Sequence, residues 1–225
     1  MGEYYKNKLL LRPSVYSDNI QKIKLVAYEY GKLHATYPIS VIGIMKTIDD
    51  KFILCHRYNS FLFSEIAFTK DKQRKIKLFK KHSKYMSNIE RDILSYKLSL
   101  PNNYNTNHID IIFPGGKIKD LESITNCLVR EIKEELNIDS SYLAICKNCF
   151  VYGSIYDRLI DKDFEVIALY VETDLTSRQV LNKFIPNREI KGISFIDATD
   201  INKDYLYTNV IKYIINAVRT STSNR

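Results

Sequence analysis

Apolar residues dominate residues 39–46 (Ile-Ser-Val-Ile-Gly-Ile-Met-Lys) and again 51–57 (Lys-Phe-Ile-Leu-Cys-His-Arg), with Asp49-Asp50 between them. Two short runs of strand-forming residues around an acidic turn predict a β-hairpin. Further strand patterns fall at 109–113, near 143–153, at 164–171 and at 193–196. The period changes to 3.6 over 120–136, where Leu121, Ile124, Leu128 and Ile132 form an apolar helical stripe. It changes again over 205–218, an amphipathic helix with Val210, Ile211, Tyr213, Ile214, Ile215 and Val218 on one side. Residues 101–107 read as a loop by composition, and residues 1–36 carry no clean period. Strands on both sides of a central helix, with a second helix at the end, predict an α/β fold of sandwich type.

Residues 66–100 break this pattern. Lys70, Lys72, Arg74, Lys75, Lys77, Lys80, Lys81 and Lys84 crowd one stretch in which Asp71 is the only acid. Met86, Ile89, Ile93 and Tyr96 then recur at helical spacing. The stretch reads as a basic helical insertion within a domain spanning 39–219, flanked by an N-terminal segment, 1–38, and a C-terminal tail, 220–225. The basic cluster suits a polyanion or is simply a solvated helix face.

Composition narrows the class. The 225 residues are 45% hydrophobic and 27% charged, as in an ordinary globular protein with one sizeable core. A net charge of +8 leans toward polyanions such as RNA. No apolar run approaches the roughly 20 residues needed to span a membrane, and the first residues lack the apolar core of a secretion signal. Cys146 and Cys149 form a lone Cys-x-x-Cys without two further soft ligands at matching spacing, so reduced cysteines and an intracellular setting are expected.

The chemistry concentrates between Gly116 and Ile138. Glu131, Glu134 and Glu135 stand at i, i+3 and i+4 and share one helix face beside the apolar stripe. Three adjacent carboxylates repel one another, and a hard divalent cation with oxygen ligands relieves that repulsion. Arg130 flanks the acidic face and can brace it by bidentate pairing. Gly115-Gly116, placed just before the helix, would let a phosphate approach its free N–H groups. A solvated Glu/Lys helix fits poorly, since Glu131 and Lys133 do not face each other, and a structural metal site is the least favoured rival.

Gly116-x5-Glu122-x7-Arg130-Glu131-Ile132-x-Glu134-Glu135 resembles the Nudix box. Asn137 stands where that family has Gly, at a position needing a left-handed backbone that Asn tolerates. The resemblance implies the Nudix α/β/α sandwich around a mixed sheet, Mg²⁺ or Mn²⁺ as cofactor, and hydrolysis of a nucleoside diphosphate linked to another group. By matching position it implies Gly116, Glu131, Glu134 and Glu135 as metal ligands, with Glu122 as a brace for Arg130. Bound metal lowers the pKa of a water that attacks phosphorus.

A second resemblance runs over most of residues 40–200. The segment Arg57-Tyr58-Asn59-Ser60-Phe61-Leu62-Phe63, the basic insertion, Phe164-Glu165-Val166-Ile167 and Glu189-Ile190-Lys191 are similar to the poxvirus mRNA-decapping Nudix enzymes. This implies capped mRNA as the partner, with no obligate protein partner evident, and action inside the infected cell, in its cytoplasm. The expected reaction releases 7-methyl-GDP and leaves 5′-monophosphate RNA, promoting mRNA turnover and host shut-off. It also implies that Phe61 and Phe164 sandwich the methylated guanine, which is cationic and favours aromatic faces. Asp157 would accept hydrogen bonds from the guanine edge, Glu189 would complete the metal site or act as general base, and Lys72, Arg74, Lys75, Lys77, Lys80 and Lys81 would meet the RNA body. Core packing is the alternative for the two rings. A small-nucleotide or dinucleoside polyphosphate hydrolase and a non-catalytic cap- or RNA-binding module are the rival functions.

Overall fold

Mixed hydrophobic strands set the frame. The computed structural model describes residues 7–30, 39–202 and 205–223. Its strands are β1 (Leu9–Ser17), β2 (Gln21–Glu29), β3 (Ser40–Lys46), β4 (Lys51–Arg57), β5 (Ile111–Ile112), β6 (Gly115–Lys117), β7 (Leu143–Ile145), β8 (Cys149–Asp157), β9 (Lys162–Thr173) and β10 (Ile190–Asp197). They form one sheet in the order β1-β2-β8-β9-β3-β4-β10, with β5 on β4, β6 on β3 and β7 on β9. β3 and β9 run parallel, whereas β2–β8, β8–β9 and β4–β10 are antiparallel. The sheet is therefore mixed.

Both faces of the central strands are apolar and both are covered. On one face, helix α4 (Ile124–Leu136) inserts Ile124, Leu128 and Ile132 among Val41, Met45, Ile53, Ile167 and Leu169. On the other, α6 (Leu206–Ser223) inserts Val210, Ile211, Ile214 and Ala217 among Leu25, Ile44, Phe52 and Val151. Helix, sheet and helix make the α/β/α sandwich. The short helix α5 (Ser177–Lys183) closes the first layer with Val180.

The insertion is three helices: α1 (Phe61–Phe68), α2 (Lys72–His82) and α3 (Asn88–Leu98). They have a core of their own, in which Leu62, Ile66, Leu78, Phe79, Met86 and Leu94 meet Leu159 and Ile160 from the β8–β9 turn. Its helical part begins at Phe61, before the sequence boundary.

Several sequence expectations are corrected. The unassigned N-terminal segment supplies β1 and β2, and in β2 residues 25–28 are all buried; burial on both faces there removes the alternation that marks a strand. Residues 1–6 and 31–38 lie outside the described residues. Of the expected apolar stripe Met86, just ahead of α3, is buried, but Ile93, Ile89 (73%) and Tyr96 (88%) are exposed, and the buried side of α3 is Glu90, Arg91 and Leu94. Buried polar groups win there because they are bonded: Glu90 closes a capping box with Ser87, and Arg91 donates to the carbonyls of Ser83 and Met86. The carboxylate helix starts at Ile124, not 120, because Ser123 caps it by accepting from Asn126 N–H. Leu121 is outside the helix, at φ +61 and fully exposed. The last helix runs on to Ser223, into the segment read as a tail.

Candidate active site

Helix α4 is held with its acidic face toward β6. Gly115 has φ +146, and a Cβ there would lie 2.2 Å from the Val41 carbonyl oxygen, so only glycine fits. Gly116 presses its backbone onto Glu131, and a Cβ there would stand 2.4 Å from Glu131 Oε1. Both glycines lie in β6, paired with β3. They are not at a helix N-terminus, so the expected use of free helix N–H groups for phosphate does not hold; the loop 118–123 intervenes.

Arg130 organises the acids. It pairs bidentately with Glu122, at 2.8 Å through Nε and 2.9 Å through Nη2, and donates to Glu131 at 2.6 Å and Glu134 at 3.4 Å. Its guanidinium holds the Glu122 carboxyl down at about 2. Glu131 and Glu135 are buried, at 8% and 4% exposure, while Glu134 faces outward. Glu135 accepts from Gly115 N–H at 2.8 Å. Burial raises Glu135 to about 8, the Gly115 N–H and Arg57 offsetting part of the rise while Glu131 and Glu189 add to it. Burial also raises Glu131, with Arg130 opposing and Glu134 and Glu189 reinforcing. Asn137 ends α4 at φ 57, ψ 35, the left-handed conformation the glycine position requires.

Glu189 lies on the exposed segment before β10, and Tyr58 N–H donates to its carbonyl at 2.7 Å. Asn187 is the residue the sequence does not announce. Its side-chain oxygen accepts from Glu189 and Ile190 N–H at 2.9 and 2.8 Å, and its nitrogen donates to the Glu134 carbonyl at 3.1 Å. It thereby fastens the Glu189 segment to the end of α4. An Asn between Pro and Arg in a polar stretch carries no pattern from which this could have been read.

These donors fit a divalent cation in kind. Among the described residues, no three acidic, histidine or cysteine side chains are gathered into a ready coordination shell as they stand. The chemistry of the set nevertheless calls for a positive charge: Glu135 is a buried carboxyl whose nearest acidic neighbours, Glu131 and Glu189, destabilise its ionised form.

The structure brings Phe61 and Phe164 together. Their ring centroids are 6.0 Å apart and their planes tilted by 41°. Both rings are half-buried at the rim of the insertion core. A base between parallel rings needs two stacking steps of about 3.4 Å each, so these rings touch and would have to part to admit one. Arg57 lays its guanidinium over Phe61 at 4.0 Å. Asp110 and Glu90 pin the start of α1 that carries the ring, accepting from Phe61 N–H at 2.8 Å and Ser60 N–H at 2.5 Å. Asp157, the last residue of β8, is buried. Its Oδ1 accepts from Leu159 and Ile160 N–H at 2.8 and 3.3 Å, which leaves Oδ2 outside both bonds.

The basic residues of α2 divide. Arg74 is engaged with Glu65 and the Ile160 carbonyl, and Lys75 with the Ala67 carbonyl. Lys72, Lys77, Lys80 and Lys81 are exposed.

A family model described as the NUDIX domain matches residues 90–216. The chain belongs to the Nudix family. It is 96% identical over 224 residues to an mRNA-decapping protein of Fowlpox virus (strain NVSL), covering 100% of both chains. It is 39% identical over 214 residues to an mRNA-decapping protein of variola virus, covering 95% of this chain and 86% of that one. A third mRNA-decapping protein, from rabbit fibroma virus, is 29% identical over 181 residues, covering 79% of this chain and 85% of that one. Nudix hydrolases generally need divalent metal ions. Among the described residues, no helix is long and apolar enough to cross a membrane.

Proposed function

We propose that this protein is a viral mRNA-decapping hydrolase that releases 7-methyl-GDP and 5′-monophosphate RNA from capped mRNA in the cytoplasm of the infected cell, promoting mRNA turnover and host shut-off. One observation carries the reading. The guanidinium of Arg57 lies 4.0 Å from the Phe61 ring and close enough to Glu135 to lower its pKa. A ring suited to a cationic base and a carboxylate cluster suited to a metal therefore flank a single charge, the arrangement a base joined to a polyphosphate needs.

The residues take the following roles. Phe61 and Phe164 part to grip the methylguanine, and Asp157 Oδ2 accepts from the guanine edge. Arg57 neutralises part of the phosphate bridge on its way to α4. Glu131, Glu134, Glu135 and Glu189, with the Gly116 carbonyl, would hold Mg²⁺ or Mn²⁺, which supplies charge neutralisation and an acidified water. Arg130, itself clamped by Glu122, keeps Glu131 in place. Glu189, exposed and held by Asn187, takes the proton from the attacking water. The free lysines of α2 meet the RNA that leaves the site.

The test compares RNA labelled in its cap with the free cap dinucleotide, in the presence of Mg²⁺ or Mn²⁺. Labelled 7-methyl-GDP should appear faster from the RNA. A dinucleotide cleaved at the higher kcat/KM would favour a small-nucleotide hydrolase and end this reading.

A further inference from the structure

A groove of about 390 Å³ is lined by Lys84, Tyr85, Thr106, Asn107 and His108, none of them on the acidic helix. It lies between the turn after α2 and the loop leaving α3. Its walls are fixed. The buried Arg91 donates to the carbonyls of Ser83 and Met86, at 3.3 and 2.5 Å, and to Thr106. The Thr106 hydroxyl donates to the Lys84 carbonyl at 2.7 Å, and His108 N–H to the Met86 carbonyl at 3.3 Å. A loop tethered at this many points is organised before any ligand arrives.

The lining has the chemistry of a nucleotide site. The Tyr85 ring meets His108 edge-on at 5.9 Å, and the Lys84 ammonium lies 4.9 Å from the centre of the Tyr85 ring. Asn107 is exposed and carries both a donor and an acceptor. No acid is among the five lining residues.

Two connections say what would occupy it. Toward the cap side, His108 Nε2 is 3.3 Å from Asp110 Oδ1, and Asp110 Oδ2 accepts the N–H of Phe61. The groove wall and the cap ring thus share one carboxylate. Away from it, Lys84 continues a line of exposed lysines, Lys77 and Lys81, spaced one helical turn apart along α2. Exposed lysines at this spacing can meet successive phosphates of a nucleic acid.

We propose that the groove is a subsite for a nucleotide of the RNA body, beyond the one joined to the cap. Its base stacks on Tyr85, displacing the Lys84 ammonium onto the adjoining phosphate, and Asn107 reads the base edge. The proposal rests on the cap reading above and adds to it a grip on the RNA that a free cap or 7-methyl-GDP does not use.

Affinities of the full-length protein for 7-methyl-GDP, GDP and a short capped RNA test it. Tyr85→Ala should weaken RNA binding roughly 5- to 150-fold, the range for loss of one stacked base. Tyr85→Phe should restore it, and both variants should bind 7-methyl-GDP as the wild type does. Lys84→Gln, at an exposed position, should lower the slope of log affinity against log salt by about one. Unchanged RNA affinity in Tyr85→Ala, or an unchanged salt slope in Lys84→Gln, overturns the subsite. So does an equal loss for 7-methyl-GDP and RNA, which would mean that Tyr85 acts only through Asp110 on Phe61. Wild-type protein that bound 7-methyl-GDP no better than GDP would instead remove the cap reading itself.

Discussion

Replacing Gly116 by alanine adds one methyl group against the Glu131 carboxylate. The new Cβ would stand 2.4 Å from Oε1, 2.5 Å from Cδ and 2.7 Å from Oε2. Gly116 is not among the positive-φ residues, so alanine meets no backbone strain. The atoms it strikes belong to the tip of a side chain, which can rotate away at small cost to folding. That tip is held by Arg130 at 2.6 Å, and restoring ordinary contact moves it by about 1 Å, a displacement able to cost ~10²-fold in rate. This corresponds to about 2.7 kcal/mol in the barrier. The assay is the initial rate of 7-methyl-GDP release from cap-labelled RNA at saturating metal, with a thermal melt on the same samples. Gly116→Ala should melt near the wild-type temperature and turn over ~100-fold more slowly. Gly115→Ala should do the opposite damage, since its Cβ strikes the Val41 carbonyl at 2.2 Å and its φ suits glycine alone. A well-folded Gly116→Ala protein with wild-type kcat would refute the claim that Glu131 must lie where it does. Combining it with Glu131→Asp, which retracts the carboxylate by one methylene, should cost less than the sum of the two changes.

Other outcomes follow from the same geometry. Phe164→Ala should reduce affinity for 7-methyl-GDP far more than for GDP, by about 1–3 kcal/mol, measurable by calorimetry. Glu189→Gln should lower kcat by ~10²–10⁴-fold while 7-methyl-GDP still binds as before. Asn187→Ala should lower kcat with little change in KM, because it frees the Glu189 segment from α4; a change confined to KM would contradict that role. Glu65, paired with Arg74 at 3.1 Å and Lys162 at 2.6 Å, has a pKa below its ordinary 4.5, because these two cations outweigh the opposing effect of burial. A depressed carboxyl stabilises the fold above its unfolded value. Stability should therefore fall as pH drops through 4.5 toward the lower folded-state value, and Glu65→Gln should flatten that part of the denaturation curve.

What the chain declared in advance was whatever depends on local period and spacing. The box from Gly116 to Glu135 was legible because metal chemistry fixes residue types at helical intervals, and Ile124, Leu128 and Ile132 do form the buried stripe of α4. Its start was misplaced because apolar Leu121 fits the same period, although Ser123 carries the cap. Strand β2 was not legible because both faces of its second half, residues 25–28, are buried. The face of α3 was misread because Glu90 and Arg91 look exposed by type; only the positions of Ser60, Ser83, Met86 and Thr106 in space make their burial favourable. Asn187 and Asp110 act through backbone partners distant in sequence, and no single-chain pattern marks such contacts. The approach of Phe61 to Phe164 could be anticipated from family resemblance alone, because the two rings come from segments far apart in the sequence that meet only at the rim of the insertion core.

A crystal structure of the protein with 7-methyl-GDP and a divalent cation tests the central claim most directly. The methylguanine should lie between Phe61 and Phe164, now parted and closer to parallel, with the diphosphate passing Arg57 and the cation on Glu131 and Glu135. A base bound elsewhere, with the two rings still in contact, would contradict it.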